Sequence, residues 1–219
     1  MATTFGNGPI TGATSITNAP GFVSMQVFTS TGTSTWTKPS GIRRVWVYVT
    51  GGGAGGGSHN SDDAQGGGGA GGTAIKIIDV SSVASVSVTV GAGTAGAAGN
   101  QSAGVTTAGT SSFGAYCSAT GGAGPSTWGV GGLGGTATGG DINITGGDAA
   151  VGNIDGSANE EGGGTGGTSF WGSGGSGGTN WGARFNGRAY GAGGCGTQVN
   201  TNDQGGTGAN GIVIVEEYR

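Results

Sequence analysis

Charge is scarce in this chain. Asp, Glu, Lys and Arg make up 8% of its 219 residues, and none occurs from Val80 to Gly140. The formal net charge is −4, which fits neither a basic nucleic-acid footprint nor a tract kept disordered by solvated charge. Leucine is almost missing, with Leu133 alone. Glu, Lys and Arg are rare as well, so the good helix formers are absent. No window carries a 3.6-residue apolar period, and almost no α-helix is expected. No apolar run reaches the ~18 residues that a membrane-spanning helix needs. The opening MATTFGNGPITG has no basic n-region and no apolar h-region, so it does not read as a signal peptide. There are two cysteines, Cys117 and Cys195, too few for a disulfide scaffold. Two buried free thiols are the simpler reading, with a Cys117–Cys195 pair as the alternative.

Glycine fills the space left by these absences. There are 59 glycines, against a usual share of about 7%. Much of this glycine falls in one phrase, Gly-Gly-x-Gly-Gly-Thr. It occurs at Gly68–Thr73, Gly131–Thr136, Gly163–Thr168 and Gly174–Thr179, with a near copy at Gly52–Gly57. A period of three residues matches the left-handed polyproline-II helix, which has 3 residues per turn and a rise of about 3.1 Å. Two glycines of each triplet then form bare edges and x forms the third. Bare edges let backbones approach closely enough to hydrogen-bond side by side. A chain with so thin an apolar core needs supplementary contacts, and self-association is a common source.

Residues 1–21 are small and polar, broken by Pro9 and Pro20, and read as an extended attachment arm. The remaining 22–219 reads as one glycine-rich domain. Strands are expected within about 22–50, 74–90, 110–118 and 211–218, and glycine-rich segments over 51–72 and 121–211. A turn is expected at Thr31–Gly32, and Asp141–Thr145 reads as an insert. Arg43–Thr50 (RRVWVYVT) is the clearest strand; apolar on both faces, it should lie centrally in a sheet or be covered on both sides. Ser85–Val90 alternates Val with Ser and Thr, one face buried and one wet. Strands at both ends with glycine between them give an all-β fold. It would be a small β-sandwich with a glycine-rich layer of polyglycine-II helices projecting away from the arm.

Several patterns imitate catalytic motifs. Val47–Gly56 has a strand followed by Gly51, Gly53 and Gly56 in dinucleotide spacing. That chemistry needs a helix N-terminus to hold pyrophosphate, and more glycine stands where the helix should be. Gly174-Gly-Ser176-Gly-Gly178 matches the nucleophile elbow, a chance match in such text; His59, the only histidine, sits in a polar loop. Asp141, Asp148 and Asp155 recur every seven residues and could hold a cation. Asx-turns at glycine reversals are the simpler reading. No catalytic residue, metal or cofactor is expected. The aromatic residues of the inserts are better candidates for function. They either cap the glycine layer or, because loops on rigid scaffolds carry recognition, meet a ligand. The candidate binding residues are His59, Asn60, Trp128, Trp171, Trp181, Arg184, Phe185 and Tyr190.

Taken together, FTSTGTSTWTKPSGIRRVWVYVTGGGAGGG at 28–57, GGGGAGGTA at Gly66–Ala74, SVTVGAG at Ser87–Gly93, GTSSFG at Gly109–Gly114, GGDINITGGD at Gly139–Asp148, AYGAGGCG at Ala189–Gly196 and GANGIVIVEEY at Gly208–Tyr218 resemble the glycine-rich receptor-binding domain of bacteriophage tail-fibre tips. The resemblance covers about residues 22–219. It implies a non-enzymatic virion adhesin, with variable loops between polyglycine-II helices recognising a host-surface glycan or an outer-membrane protein. Residues 1–21 would then join other tail or fibre proteins, with no membrane insertion and no nucleic acid, and a homotrimer is expected by analogy with fibres. The short arm and the insert Val151–Glu161 depart from the family pattern. Rival readings are a structural decoration or head-fibre protein without a receptor, an ice-binding protein built on stacked glycine helices, and a depolymerase.

Overall fold

The structure, a computed structural model, describes residues 21–58, 64–98, 106–126, 129–152, 162–177, 185–197 and 204–219. Among them there is no helix. Ten strands build two antiparallel sheets. They are β1 (Phe22–Phe28), β2 (Gly32–Thr37), β3 (Arg44–Thr50), β4 (Thr73–Asp79), β5 (Ser85–Val90), β6 (Ser111–Phe113), β7 (Cys117–Ala119), β8 (Ala137–Thr138), β9 (Ile142–Ile144) and β10 (Ile212–Tyr218). One sheet has the order β1-β10-β3-β4-β9 and the other β2-β5-β6-β7-β8.

Alternation along the strands builds the core. Val45, Val47 and Val49 of β3, Val213 and Val215 of β10, and Val86, Val88 and Val90 of β5 point between the sheets. Trp36 and Phe113 fill the middle, ring centroids 5.7 Å apart. One polar residue joins this interior. Glu217 is fully buried and stands opposite Val45. Its carboxyl accepts from Ser24 Oγ at 2.5 Å, Gln26 Nε2 at 2.7 Å and Trp36 Nε1 at 2.8 Å. Because β1 and β10 lie in one sheet and β2 in the other, Glu217 ties the two layers through donors that apolar residues could not provide.

The strands differ from the expected ones at three places, one being β8, which pairs with β7 inside the expected glycine segment 121–211. The turn at Thr31–Gly32 opens directly into β2, with Gly32 at φ 101°, so the Thr-rich TSTWT is a strand. Within the expected insert Asp141–Thr145, Ile142–Ile144 pairs with β4 as an edge strand. β3 is central, with β10 and β4 beside it, but only its valine face is covered; Trp46 on the other face is exposed.

The glycine segments leave the sandwich as extended rods, some antiparallel and some parallel to their neighbours, that hydrogen-bond with a period of three. The amides of Gly51, Ala54 and Gly57 donate to the carbonyls of Gly72, Gly69 and Gly66 at 2.9–3.0 Å. Gln65, Gly68 and Gly71 donate in the same way to Thr197, Gly194 and Gly191. Gly67 and Ala70 donate to Ala150 and Gly147, and Gly69 and Gly72 to Ala123 and Thr120. The same segment accepts from Gly132 and Gly135, from Gly164 and Gly167, and from the 51–57 run. Residues 64–72 therefore form a central rod with neighbours on every side: three accept from its N–H groups and three donate N–H groups to its carbonyls. This is the hexagonal packing of polyglycine II, with satisfied backbone groups in place of an apolar core.

Close approach is what demands glycine. A Cβ at Gly56 would lie 1.8 Å from the Cys195 carbonyl oxygen, and one at Gly193 would lie 1.8 Å from that of Gly68. The central rod carries only Ala64, Gln65 and Ala70 besides glycine. Peripheral rods carry larger side chains on their free edge, and Leu133 of GGLGGT faces solvent. The segments 91–98 and 106–109 join this bundle, as the Gly52 to Gly109 and Ala97 to Gly56 bonds show.

Candidate functional site

The bundle has two unlike ends. At the near end, Gly51, Gly72, Gly91, Thr120, Thr136 and Gly211 adjoin the strands. At the far end, Gly57 packs against Gln65 and Pro125. Gln65 N donates to Thr197, Thr197 N to Gly57, Gly205 N to Ala97 and Gly152 N to Gly129. Most of the described residues that border the internal gaps gather at this end; Thr106 does not, standing two residues before Ala108, which bonds Gly122 nearer the strands. The central rod measures about 25 Å at ~3.1 Å per residue, so the far end stands well clear of the sandwich. β10 runs the opposite way, from Ile212 beside the bundle to Tyr218, whose ring meets Phe22 edge-on at 5.9 Å. Arg219 N donates to Gly21 O, so Gly21 lies at the pole opposite the far end.

Three of the eight candidate residues lie in described structure, and they do not converge. Trp171 is at the near end. Its indole Nε1 donates to Thr50 Oγ1 at 2.9 Å, and its ring packs on Tyr48 and Phe170. It caps the junction between bundle and sheet. Tyr190 is also at the near end, exposed, next to the turn at Gly191 (φ 72°). Phe185 is the one toward the far end. Its N–H donates to Cys195 Sγ at 3.2 Å and its carbonyl accepts from Cys195 N. The Arg188 guanidinium carbon sits 5.8 Å from its ring centroid, a cation–π pair, and Arg188 also donates to Ser176 Oγ. His59, Asn60, Trp128, Trp181 and Arg184 lie outside the described residues.

The carboxylates and thiols have structural partners. Asp141 Oδ2 accepts from Ile77 N at 2.9 Å and its other oxygen is 3.6 Å from Lys76 Nζ. Asp148 Oδ1 accepts from Gly134 N at 2.8 Å. Both cap backbone of a neighbouring segment; Asp155 is outside the described residues. Among the described residues no three His, Cys, Asp or Glu side chains gather as metal ligands. Cys117 and Cys195 are free and buried. Burial pushes the Cys117 thiol up to about 11, with Lys76 opposing part of the rise. The run from Gly51 to Gly57, which imitates a dinucleotide loop, is an extended rod, and no helix follows it among the described residues.

Sequence reading missed the outer face of the β1-β10-β3-β4-β9 sheet, where Trp46 and Tyr48 stack at 6.0 Å. The signal was the apolar alternate set of RRVWVYVT, which lacks an internal cover.

Fold and ends together define a class: an all-β sandwich mounting a polyglycine-type bundle, a rigid spacer that presents one end away from its base. The glycine-rich domain family matches residues 29–218, and the chain belongs to it. No curated protein matches the chain.

Proposed function

We propose that the protein is a virion adhesin, a bacteriophage tail-fibre tip that attaches the particle to the bacterial surface. The observation that carries this reading is the polarity of the molecule. Gly21, where the described structure begins, lies at the sandwich pole, and the ends of the glycine rods assemble at the opposite pole. A mount at one end and a recognition surface at the other is what attachment requires. The bundle supplies stiffness without a large apolar core, so the inserts can vary without disturbing it.

In this reading binding needs no cofactor and no chemistry on the ligand. Residues 1–21 join other tail or fibre proteins, and His59, Asn60, Trp128, Trp181, Arg184 and Phe185 contact a glycan or an outer-membrane protein. Trp171, bonded to Thr50, belongs to the scaffold instead. The inserts carry Asp62, Asp63, Asp155, Glu160, Glu161 and Asp203 against Arg184. That balance favours neutral glycans or basic protein loops over phosphate-rich surfaces. Several copies on one particle would raise avidity without new contacts.

The test is binding of the fluorescently labelled full chain to intact cells from a strain panel. Replacing 178–184 or 59–63 by Gly-Ser of equal length should abolish binding and leave the circular dichroism unchanged. Binding that survives both replacements, or no binding to any strain, would sink the adhesin reading and favour a decoration protein.

A further inference from the structure

We infer that the outer face of the β1-β10-β3-β4-β9 sheet is a self-association surface, covered in solution by the same face of a second copy. The two sheets supply an internal comparison. The outer face of the β2-β5-β6-β7-β8 sheet is hydroxylated. Thr33, Thr35 and Thr37 are exposed on β2, Ser85 and Ser87 on β5, and Thr33 hydrogen-bonds Thr89 across the strands. That is the wet face expected of an antiparallel sandwich. Its counterpart presents Phe22, Met25, Val27, Trp46, Ile77 and Ile142, of which Ile77 is 50% exposed and Phe22 61%. Strand register puts these residues on one surface: Met25 opposes Glu216, Glu216 opposes Trp46, Trp46 opposes Ile77, and Ile142 lies opposite Ile75. Phe170 and Trp171 cover only its bundle-side margin, where they meet Tyr48. At the other margin a cleft of about 240 Å³ stays open between Arg44, Trp46, Ile77 and Tyr218. Contiguous apolar surface of this extent marks an interface.

Charge and area select the occupant. The charges on the face are few and of both signs. Arg44 stands opposite Asp79 in register, and Glu216 accepts from Tyr218 Oη at 2.8 Å. Arg44 offsets Asp79 and leaves Glu216 without an opposite charge in register, too little charge to select a strongly charged partner or to keep two copies apart. Four strands of seven residues and β9 of three, about 4.8 Å apart and rising ~3.3 Å per residue, give roughly 500 Å² of face. Two copies would bury about 1,000 Å², the level at which a specific interface becomes plausible. The chain's own residues 1–20 offer only Met1, Phe5, Ile10 and Ile16 as large apolar side chains, too few to cover it.

Sedimentation of the full chain at micromolar concentration is the test. A mass twice that of the 20.5 kDa chain is expected, since a face that meets its own copy closes at two chains. Trp46→Glu should reduce it to that of a single chain with unchanged circular dichroism, and Ile77→Lys serves if Trp46→Glu unfolds. Thr35→Glu, on the hydroxylated face, should leave the assembly intact. A wild-type chain that sediments alone would overturn the proposal, as would an assembly indifferent to both face substitutions. If removing residues 1–20 turned a single chain into an associating one, the arm would be the cover and the proposal would fall. The inference is independent of the far end: a chain that assembles but binds no cell overturns only the adhesin reading.

Discussion

At Gly56 a single methyl group decides whether two backbones can touch. Its Cβ would meet the Cys195 carbonyl at 1.8 Å and the next amide nitrogen at 2.6 Å, and neither atom can rotate away as a side chain could. Gly56→Ala should therefore destabilise the protein at or beyond the upper end of the ~1–3 kcal/mol typical of overpacking. Gly21→Ala is the control, since nothing lies within 4 Å of its Cβ position, and chemical denaturation should leave it near wild type. Equal effects at the two sites would remove the case for close packing. Much of this was legible in the sequence, because a period of three with two glycines per turn states which edges must be bare. Which rod occupies the centre was harder to read. The run Gly66–Gly69, four glycines in succession, was the available signal, since a rod surrounded on every side has no free edge for a larger residue. A second expectation concerns Cys117. Its folded-state thiol is raised from its usual value near 9 to about 11, so between these values the unfolded chain ionises first and draws the equilibrium toward itself. This contribution to stability is intact below pH ~9 and lost as pH rises toward ~11. Replacing Cys117 by Ala should flatten that alkaline decline in thermal melts; an unchanged slope would assign it to other groups.

Elements in this protein are specified by two different periods, and the switch between them is abrupt. β3 alternates with period two through Thr50 and the rod beginning at Gly51 follows with period three. Strands with β-branched alternation were legible on this basis: Ser85–Val90 and Ile212–Tyr218 appear as expected. β2 was not, because TSTWT offers a single large residue, Trp36, and its burial depends on Phe113 and Glu217 from distant parts of the chain. β9 was missed for a similar reason, being three residues long and paired only to the edge of β4. The period of three makes its own prediction. One glycine inserted after Gly68 turns every residue on one side of it by about 120°, which disconnects part of the central rod from its neighbours. Three inserted residues restore the facing of every edge. Losing even three net hydrogen bonds at ~1 kcal/mol each lowers the melting temperature by roughly 6–12 °C in a domain of this size. The single insertion should thus melt well below the triple one. If the two melt together, rotational register does not hold the bundle.

For the whole molecule, the question is whether sandwich and bundle are one folding unit. The polarity that supports the functional reading was only half legible. Strand order told that the glycine layer projects from the sheets, but it could not tell that Trp171 and Tyr190 fall at the near end while Phe185 lies toward the far one. That assignment follows from where each hairpin of rods reverses, which depends on pairings such as Gly71 with Gly191 and Gly166 with Gly175. The same pairings argue for one cooperative unit. The central rod is continuous with β4 at Thr73, and its neighbours are continuous with β3, β7 and β8. Opening the bundle would leave carbonyls and amides unpaired along every rod at once, with almost no side-chain burial to hold a partly open state. The rods therefore have no intermediate in which to rest once the sheets separate. Native-state hydrogen exchange should give the amides of Gly68 and Ala70 the same opening free energy as those of Val47 and Val215 in the sandwich core, equal to that of global unfolding. If glycine amides exchanged from a lower-energy opening while the valines stayed protected, the bundle would be a separate, weaker layer, and its far end a movable surface instead of a rigid one.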